Sequence, residues 1–251
     1  MKLISWNIRG INGPKKGRLL KNMLMEEKPA ILFLQETKCN QAVLEKVAAK
    51  VWPGGLVTVV DAQGASGGLA ILWDARSLHL GNIHANRHFI QATFHLIGTN
   101  ISGHITNVYF PQETQQKVEI LEAFTQLNVE RIHPLWISGG DYNMIATIEE
   151  KRGGRCRINR DGSALRDFIH NNWMIDLTTN NGLFTWNNKR ADPMQVASRL
   201  DRFLISDNAV HIGGEFTASI LPYSGSDHWP IALNWNRPGK STIRPFRFEA
   251  F

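Results

Sequence analysis

The segment Ile137-Ser138-Gly139-Gly140-Asp141-Tyr142-Asn143 places a carboxylate and a carboxamide two residues apart, just after the short apolar run Pro134-Leu135-Trp136-Ile137. Such a run reads as a fully buried strand. The paired glycines that follow allow a sharp turn or a close backbone approach. In an extended segment, positions i and i+2 point to the same side. Asp141 and Asn143 are therefore expected to face one small polar group together, the first as proton acceptor and the second as a neutral donor and acceptor. An Asx-rich turn that only closes a strand has the same composition.

Five other apolar segments end the same way: Asn7 after LISW, Glu36 after ILFLQ, Tyr109 after ITNV, Asp201 within SRLDRFLI, and Asp227-His228 within SGSDHWPI. In layered α/β folds ligands gather where strand ends open into a crevice. If these ends converge, one pocket collects several carboxylates, an imidazole, two amides and a phenol. Crowded carboxylates repel and raise one another's pKa. A hard cation bound through oxygen relieves that repulsion, and this donor set suits magnesium or manganese. Each residue also has a plainer role open to it. Asn7 could cap a turn, Glu36 could be a charge near a helix start, and Tyr109 could be a core residue with a local hydrogen bond. Asp201 could simply pair with Arg199 or Arg202. Ser226-Asp227-His228, between a glycine turn and Trp-Pro, has no obvious folding purpose. His79, His84, His104 and His211 read as surface or satisfied core residues.

The elements that would position these groups alternate along the chain. Lys2–Trp6 and Ala30–Leu34 read as strands, with a helix over 17–28 between them that Pro29 ends. A second helix is expected around 40–50. From 56 to 109 five strands with glycine-rich turns suggest a meander of antiparallel neighbours. A helix follows Pro111, with Thr114 as N-cap and Val118, Leu121, Phe124 and Leu127 on one face. After the organising strand at 134–140 come a basic turn-rich stretch, a helix over roughly 163–171, and strands at 183–186, 198–205, 213–220 and 230–235.

At 251 residues and 43% hydrophobic, the chain can bury a large core. We expect one domain over 1–236 and an extended tail over 237–251. The net charge of +6 is compatible with a polyanionic partner without establishing one. Two distant cysteines, Cys39 and Cys156, suggest a reducing compartment without disulfides. The start MKLISWNIRG reads as a strand and not as a signal peptide. No apolar run is long enough to cross a bilayer, so no membrane partner is expected.

SWNIRG, LQET, NVYFP, GGDYN, SRLDRFLIS and SDHWPI stand in the order and spacing of the endonuclease/exonuclease/phosphatase superfamily, over residues 2–236. Within it the chain most resembles the endonuclease domain of a plant-type non-LTR (LINE) retrotransposon, related to exonuclease III-like AP endonucleases. The tail RPFRFEAF resembles the segment leading to a reverse transcriptase region. The resemblance implies a DNase I-like four-layer α/β sandwich, with two packed mixed sheets flanked by helices. It implies a magnesium-dependent endodeoxyribonuclease, with manganese as a substitute, that nicks double-stranded DNA and leaves a 3′-hydroxyl to prime insertion. By the same resemblance Glu36 is the main metal ligand with Asn7 beside it, and Asp227 supports the metal or the histidine. Asp141 orients or deprotonates the attacking water, and Asn143 and Tyr109 hold phosphate oxygens. His228 contacts the phosphate, oriented by Asp201.

Where repair members of the superfamily carry an acidic residue two positions after the first asparagine, this chain has Arg9, which cannot ligate a metal and is expected on a DNA phosphate. Further DNA contacts are expected from Arg155 and Arg157, from Thr185, from Lys189 and Arg190 in the 187–197 hairpin, and from Ser226. Met194 could wedge at a base step. Basic residues at 15, 16, 18 and 21 and Arg199 and Arg202 could extend that track. The domain is expected to be monomeric, and work in the nucleus is inferred from the DNA substrate. The competing readings are an abasic-site repair nuclease, a phosphatase of inositol or lipid phosphates, and a non-catalytic DNA-tethering module.

Overall fold

A computed structural model describes residues 1–64, 66–129, 135–154 and 159–236, with the backbone alone for 127–129. Arg155, Arg157, the Leu127 side chain and the tail 237–251 lie outside the described residues. In chain order the elements are β1 (Lys2–Asn7), α1 (Pro14–Glu27), β2 (Ile31–Gln35), α2 (Gln41–Val51), β3 (Gly55–Gln63), β4 (Ser66–Asp74), β5 (Leu78–Ala85), β6 (Phe89–Leu96), β7 (Ser102–Tyr109) and α3 (Thr114–Val129). They continue with β8 (Trp136–Asp141), β9 (Lys151–Arg152), α4 (Arg160–Asn171), β10 (Met174–Leu177), β11 (Trp186–Asn187), β12 (Ala197–Ser198), β13 (Asp201–Ser206), α5 (Ala209–Ile212), β14 (Glu215–Ile220) and β15 (Ile231–Asn236).

One six-stranded sheet runs β14-β15-β1-β2-β4-β3 and the other β10-β13-β8-β7-β6-β5. Both are mixed: β1–β2 and β7–β8 are parallel, and the remaining pairs within them are antiparallel. Strand alternation builds three cores from them. Leu3, Ile31, Phe33 and Ile71 meet Ile90, Phe94, Ile105, Ile137 and Phe203 between the sheets. Ile4, Trp6, Leu32, Leu34 and Leu72 point the other way, onto Leu20, Met23 and Leu24 of α1 and Leu44 and Ala48 of α2. Val108, Trp136 and Leu204 pack under Leu121 and Phe124 of α3 and Leu165 and Phe168 of α4. Burial on both faces explains why ILFLQ is continuously apolar and every residue of β2 is buried. Each large apolar side chain so covered contributes about 1.5–3 kcal/mol. The result is the expected four-layer α/β sandwich.

Several local expectations change. The meander splits after β4: β3 and β4 complete the first sheet, whereas β5, β6 and β7 belong to the second. The glycines of SGGD do not interrupt β8 but lie within it, opposite Phe203 and Arg202. A Cβ on Gly139 would stand 2.3 Å from the Phe203 ring, and one on Gly140 (φ 146°) 2.1 Å from the Val108 carbonyl oxygen. Close approach, not turning, is what these glycines serve. Helix α3 is capped by Glu113, whose carboxylate accepts from the amides of Gln115 and Gln116 at 2.9 and 2.7 Å, so Thr114 is its first residue and not its cap. The strand expected at 198–205 breaks at Arg199-Leu200: β12 joins a small third sheet with β9 and β11, and β13 joins β8. The strand expected at 183–186 shortens to Trp186–Asn187, and β10 was not anticipated. Among the described residues, no helix is long and apolar enough to cross a membrane. Cys39 is a buried free thiol, and Cys156 lies outside the described residues.

Candidate active site

The parallel strands β1, β2, β7 and β8 all end at one edge of the sandwich. The antiparallel β13 and β15 begin there, so C-terminal ends of the first group stand beside N-terminal ends of the second. Tyr109, Asp141 and Asp201 are direct cross-strand partners in a single row. Asn7 closes β1, Glu36 follows β2, and His228 leads into β15. Asn7, Glu36, Asp141, Asp201 and His228 are all buried.

Hydrogen bonds tie the two sheets together through these groups. The Asn7 Nδ2 donates to Glu36 Oε1 at 3.1 Å and to Asp141 Oδ2 at 2.9 Å. His228 Nδ1 lies 2.9 Å from Asp201 Oδ2, which assigns the proton to Nδ1 and leaves Nε2 3.7 Å from Asp141 Oδ2. The Trp6 indole donates to the His228 carbonyl at 3.2 Å. Asn143 departs from the strand geometry expected of it: at φ 52° its backbone is left-handed, and its amide donates to Asp141 Oδ1 at 2.9 Å. Asp141 and Asn143 thus share the mouth through an Asx turn and not through strand alternation. The Asn143 side chain donates to the Phe110 carbonyl at 2.7 Å and accepts from Gln112 at 2.8 Å, which leaves one Nδ2 hydrogen for a ligand.

The electrostatics follow from burial and from like charge. Burial raises the pKa of Asp141, and Asp201 pushes the same way against the opposing pulls of His228 and Asn7. For His228, burial would lower the pKa, but the carboxylates of Asp201 and Asp141 outweigh it and hold the ring protonated above its ordinary range. Burial also raises Glu36, yet the Asn7 amide, Arg9 and Lys38 together bring it below the usual carboxylate range. The Tyr109 phenol is pushed well up by burial and by the nearby Glu36 and Asp141 carboxylates, so it serves as a donor.

The carboxylates of Glu36 and Asp227, close enough that Arg9 reaches both, are oxygen donors of the type a hard divalent cation takes. Asn7 turns its nitrogen to the carboxylates and its oxygen to the Arg9 amide at 3.2 Å, so in this arrangement it spaces the ligands and does not offer its oxygen. Asp141, Asp201 and His228 bring ligand-type atoms within 4.8 Å of one another, but the two carboxylates hold the ring protonated, which leaves neither nitrogen a lone pair for a metal, and the trio reads as a proton relay.

The matching family model carries the description Endonuclease/Exonuclease/phosphatase family and covers residues 4–228. The chain belongs to that family. By sequence, no curated protein matches it. Among solved structures, the AP endonuclease LMAP from Leishmania major shares 16% identity, with a TM-score of 0.75 over 94% of this chain and 88% of that one. The endonuclease domain of TRAS1, a telomere-specific non-LTR retrotransposon, shares 17%, with a TM-score of 0.70 over 94% of this chain and 97% of that one. An AP endonuclease from Archaeoglobus fulgidus shares 18%, with a TM-score of 0.74 over 94% and 99%. At these identities the likeness establishes the fold.

The rim residues expected on DNA fall into two groups. Lys189 and Arg190 are exposed in the 187–197 hairpin with Met194 (64% exposed), and the Lys189 ammonium lies 5.2 Å from the Trp229 ring centre. That hairpin is pinned to the site, because the Trp186 indole donates to Asp227 Oδ2 at 3.0 Å and the Asn187 amide to the Asp227 carbonyl at 3.0 Å. Ser226 is half-buried, and its Oγ lies 3.3 Å from Asp227 and accepts from the His228 amide at 3.2 Å. Thr185 is a correction: it is wholly buried, its hydroxyl accepting from the amides of Leu200 and Asp201 at 3.0 Å each, so it fixes the start of β13 and has no surface for DNA. Arg199 and Arg202 are a second correction. Both are buried and paired with Glu150 and Asp176, so they cannot line a backbone track.

Sequence reasoning passed over the supports. Gln35 Nε2 donates to Ser5 Oγ at 3.0 Å and to Asn107 Oδ1 at 2.6 Å, bridging the sheets beneath the mouth. Asn107 in turn donates to the carbonyls of Leu34 and Ala70. The buried Lys117 of α3 donates to the Asn143 carbonyl at 2.7 Å and to Asp161 at 2.8 Å, locking the left-handed turn. Its signal was available, since Lys117 shares a helical stripe with Leu121 and Phe124.

Proposed function

We propose that this protein is a magnesium-dependent DNA endonuclease that cuts one strand of a duplex by phosphodiester hydrolysis, leaving a 3′-hydroxyl that primes retrotransposon insertion. The observation that carries the reading is the buried trio of Asp141, Asp201 and His228 beside Glu36 at a single strand mouth. In-line attack by water needs a base on one side of the phosphorus and donors around its oxygens. Asp141, with its raised pKa, takes the proton from the water as the bond from its oxygen to phosphorus forms. His228, kept protonated by Asp201, donates from Nε2 to a phosphate oxygen as the P–O bond to the 3′-oxygen breaks, and the departing 3′-oxygen takes a proton from solvent water to become the 3′-hydroxyl. Tyr109 and the remaining Asn143 hydrogen hold the other oxygens.

The metal, magnesium or manganese in its place, would be held by Glu36 and Asp227 and would supply charge neutralisation at the phosphate. The insertion role is supported by the motif resemblance to LINE-type elements and by the likeness to the TRAS1 domain. On this reading the domain acts as a monomer in the nucleus, and a reverse transcriptase region follows it in the full-length protein. Exposed Lys189 and Arg190 would meet the duplex.

Plasmid nicking tests the proposal. Supercoiled DNA should relax with magnesium and not with EDTA, and Asp141→Ala and His228→Ala should each slow nicking by roughly 10²–10⁴-fold. Unimpaired nicking by both variants would refute the site. An abasic duplex cut far faster than intact DNA would turn the reading to repair, and DNA binding without nicking by the wild type would favour the tethering module.

A further inference from the structure

Arg9 stands over the two carboxylates that the proposed function reserves for a metal. Its Nη1 lies 3.1 Å from Asp227 Oδ2 and its Nε 3.6 Å from Glu36 Oε1. Lys38 approaches the other Glu36 oxygen at 3.3 Å, so both oxygens of Glu36 face a cation. The carboxylates are largely covered, at 9% and 15% side-chain exposure, whereas the Arg9 side chain is 46% exposed and covers them from the solvent side. The backbone fixes this placement. Arg9 sits at φ 48°, its amide bonded to Asn7 Oδ1, and the Gly10 amide donates to the Glu36 carbonyl at 2.7 Å. The turn is therefore anchored through its backbone, while the half-exposed side chain is held by its two ion pairs.

A divalent ion on the same oxygens would lie within a few ångströms of the guanidinium, and like charges that close repel strongly where water is scarce. A guanidinium released toward solvent at the rim of this site has a planar fork suited to phosphate oxygens. Resting on the metal-dependent nuclease reading above, we propose that Arg9 is a displaceable counter-cation of the metal site. It holds Glu36 and Asp227 in the metal-free protein, leaves them when a divalent ion binds, and then engages a DNA phosphate. Metal and DNA each favour the arrangement the other needs, so their affinities are coupled through this one side chain.

The test is Mn²⁺ binding, followed by electron paramagnetic resonance and calorimetry, in the wild type, Arg9→Gln and Glu36→Gln. Without DNA, Arg9→Gln should bind Mn²⁺ about tenfold more tightly than the wild type, the scale of a charge-assisted contact removed. A phosphorothioate duplex, which keeps its charge but resists cleavage, should raise the Mn²⁺ affinity of the wild type more than that of Arg9→Gln. Equal affinities in wild type and Arg9→Gln, with binding lost in Glu36→Gln, would overturn the counter-cation proposal and leave the nuclease reading standing. A duplex effect of the same size in both proteins would overturn the coupling. No Mn²⁺ binding by any of the three would overturn both readings.

Discussion

A protonated imidazole buried as deeply as His228 loses its hydration, and two carboxylates on neighbouring strands offset that loss. Asp201 makes the direct bond, so it sets both the ring's orientation and the pH at which the ring loses its proton. Asp201→Asn keeps the shape and removes the charge. The alkaline limb of kcat/KM should then move to lower pH by a unit or more, each unit amounting to about 1.4 kcal/mol of lost support for the imidazolium. A variant with lower kcat but an unmoved alkaline limb would show that Asp201 does not hold the proton on His228. Residue types at this scale were readable in the sequence: Asn7, Glu36, Tyr109, Asp141, Asp201 and His228 do come together. Their partners were not. Nothing in SRLDRFLI says that Asp201 bonds an imidazole 27 residues away while Arg199 and Arg202 turn to Glu150 and Asp176.

That quartet, buried except for the half-buried Asp176, joins four segments, because Glu150 ends the short helical turn Ile148–Glu150, Asp176 lies on β10, Arg202 on β13, and Arg199 beside β12. Burial would raise the Glu150 pKa, but Arg202, its hydrogen bonds and Arg199 bring it down to about 2. A folded pKa depressed in this way gives stability that is fully present above the unfolded value of 4.5 and is lost as pH falls through about 2. We expect about 2–3 kcal/mol of unfolding free energy to disappear over that window. Glu150→Gln should cost about 3 kcal/mol at pH 7, since it leaves two buried guanidinium groups to share the single charge of Asp176, and should flatten the acid limb. Urea titrations from pH 7 down to 2 measure both, and a variant with the wild-type pH slope would contradict the assignment. The basic run at 151–160 and the Arg199–Arg202 pair looked alike in sequence. Burial separates the pair from the described residues of the run, where Arg152 and Arg160 are exposed, and burial is a property of the assembled sheets.

At the scale of the whole molecule, the proposed DNA contact would draw on positive charge that is exposed, as it is at Lys189 and Arg190. Lys189 and Arg190 stand on a hairpin that Trp186 and Asn187 fasten to Asp227, so the proposed duplex contact is tied directly to the candidate site. If they neutralise phosphates, the logarithm of the DNA dissociation constant rises linearly with the logarithm of salt concentration. Replacing both with alanine should then reduce that slope by about 2. An unchanged slope with weakened binding would place them off the backbone.

The sequence alone determined the strand-and-helix alternation, the two-faced burial of strands such as ILFLQ, and the order of polar groups at strand ends. These follow from side-chain chemistry and period, which are local. Its resemblance to the superfamily also marked Arg9 as a cation where repair members carry an acid. Tertiary structure decided which strands share a sheet, that Gly139 and Gly140 serve close packing, and that Asn143 reaches the mouth through a left-handed turn. It decided that Thr185, Arg199 and Arg202 face inward. The reason is the same in each case: register and burial are set by partners distant in the chain, and a residue's role depends on what those partners leave exposed.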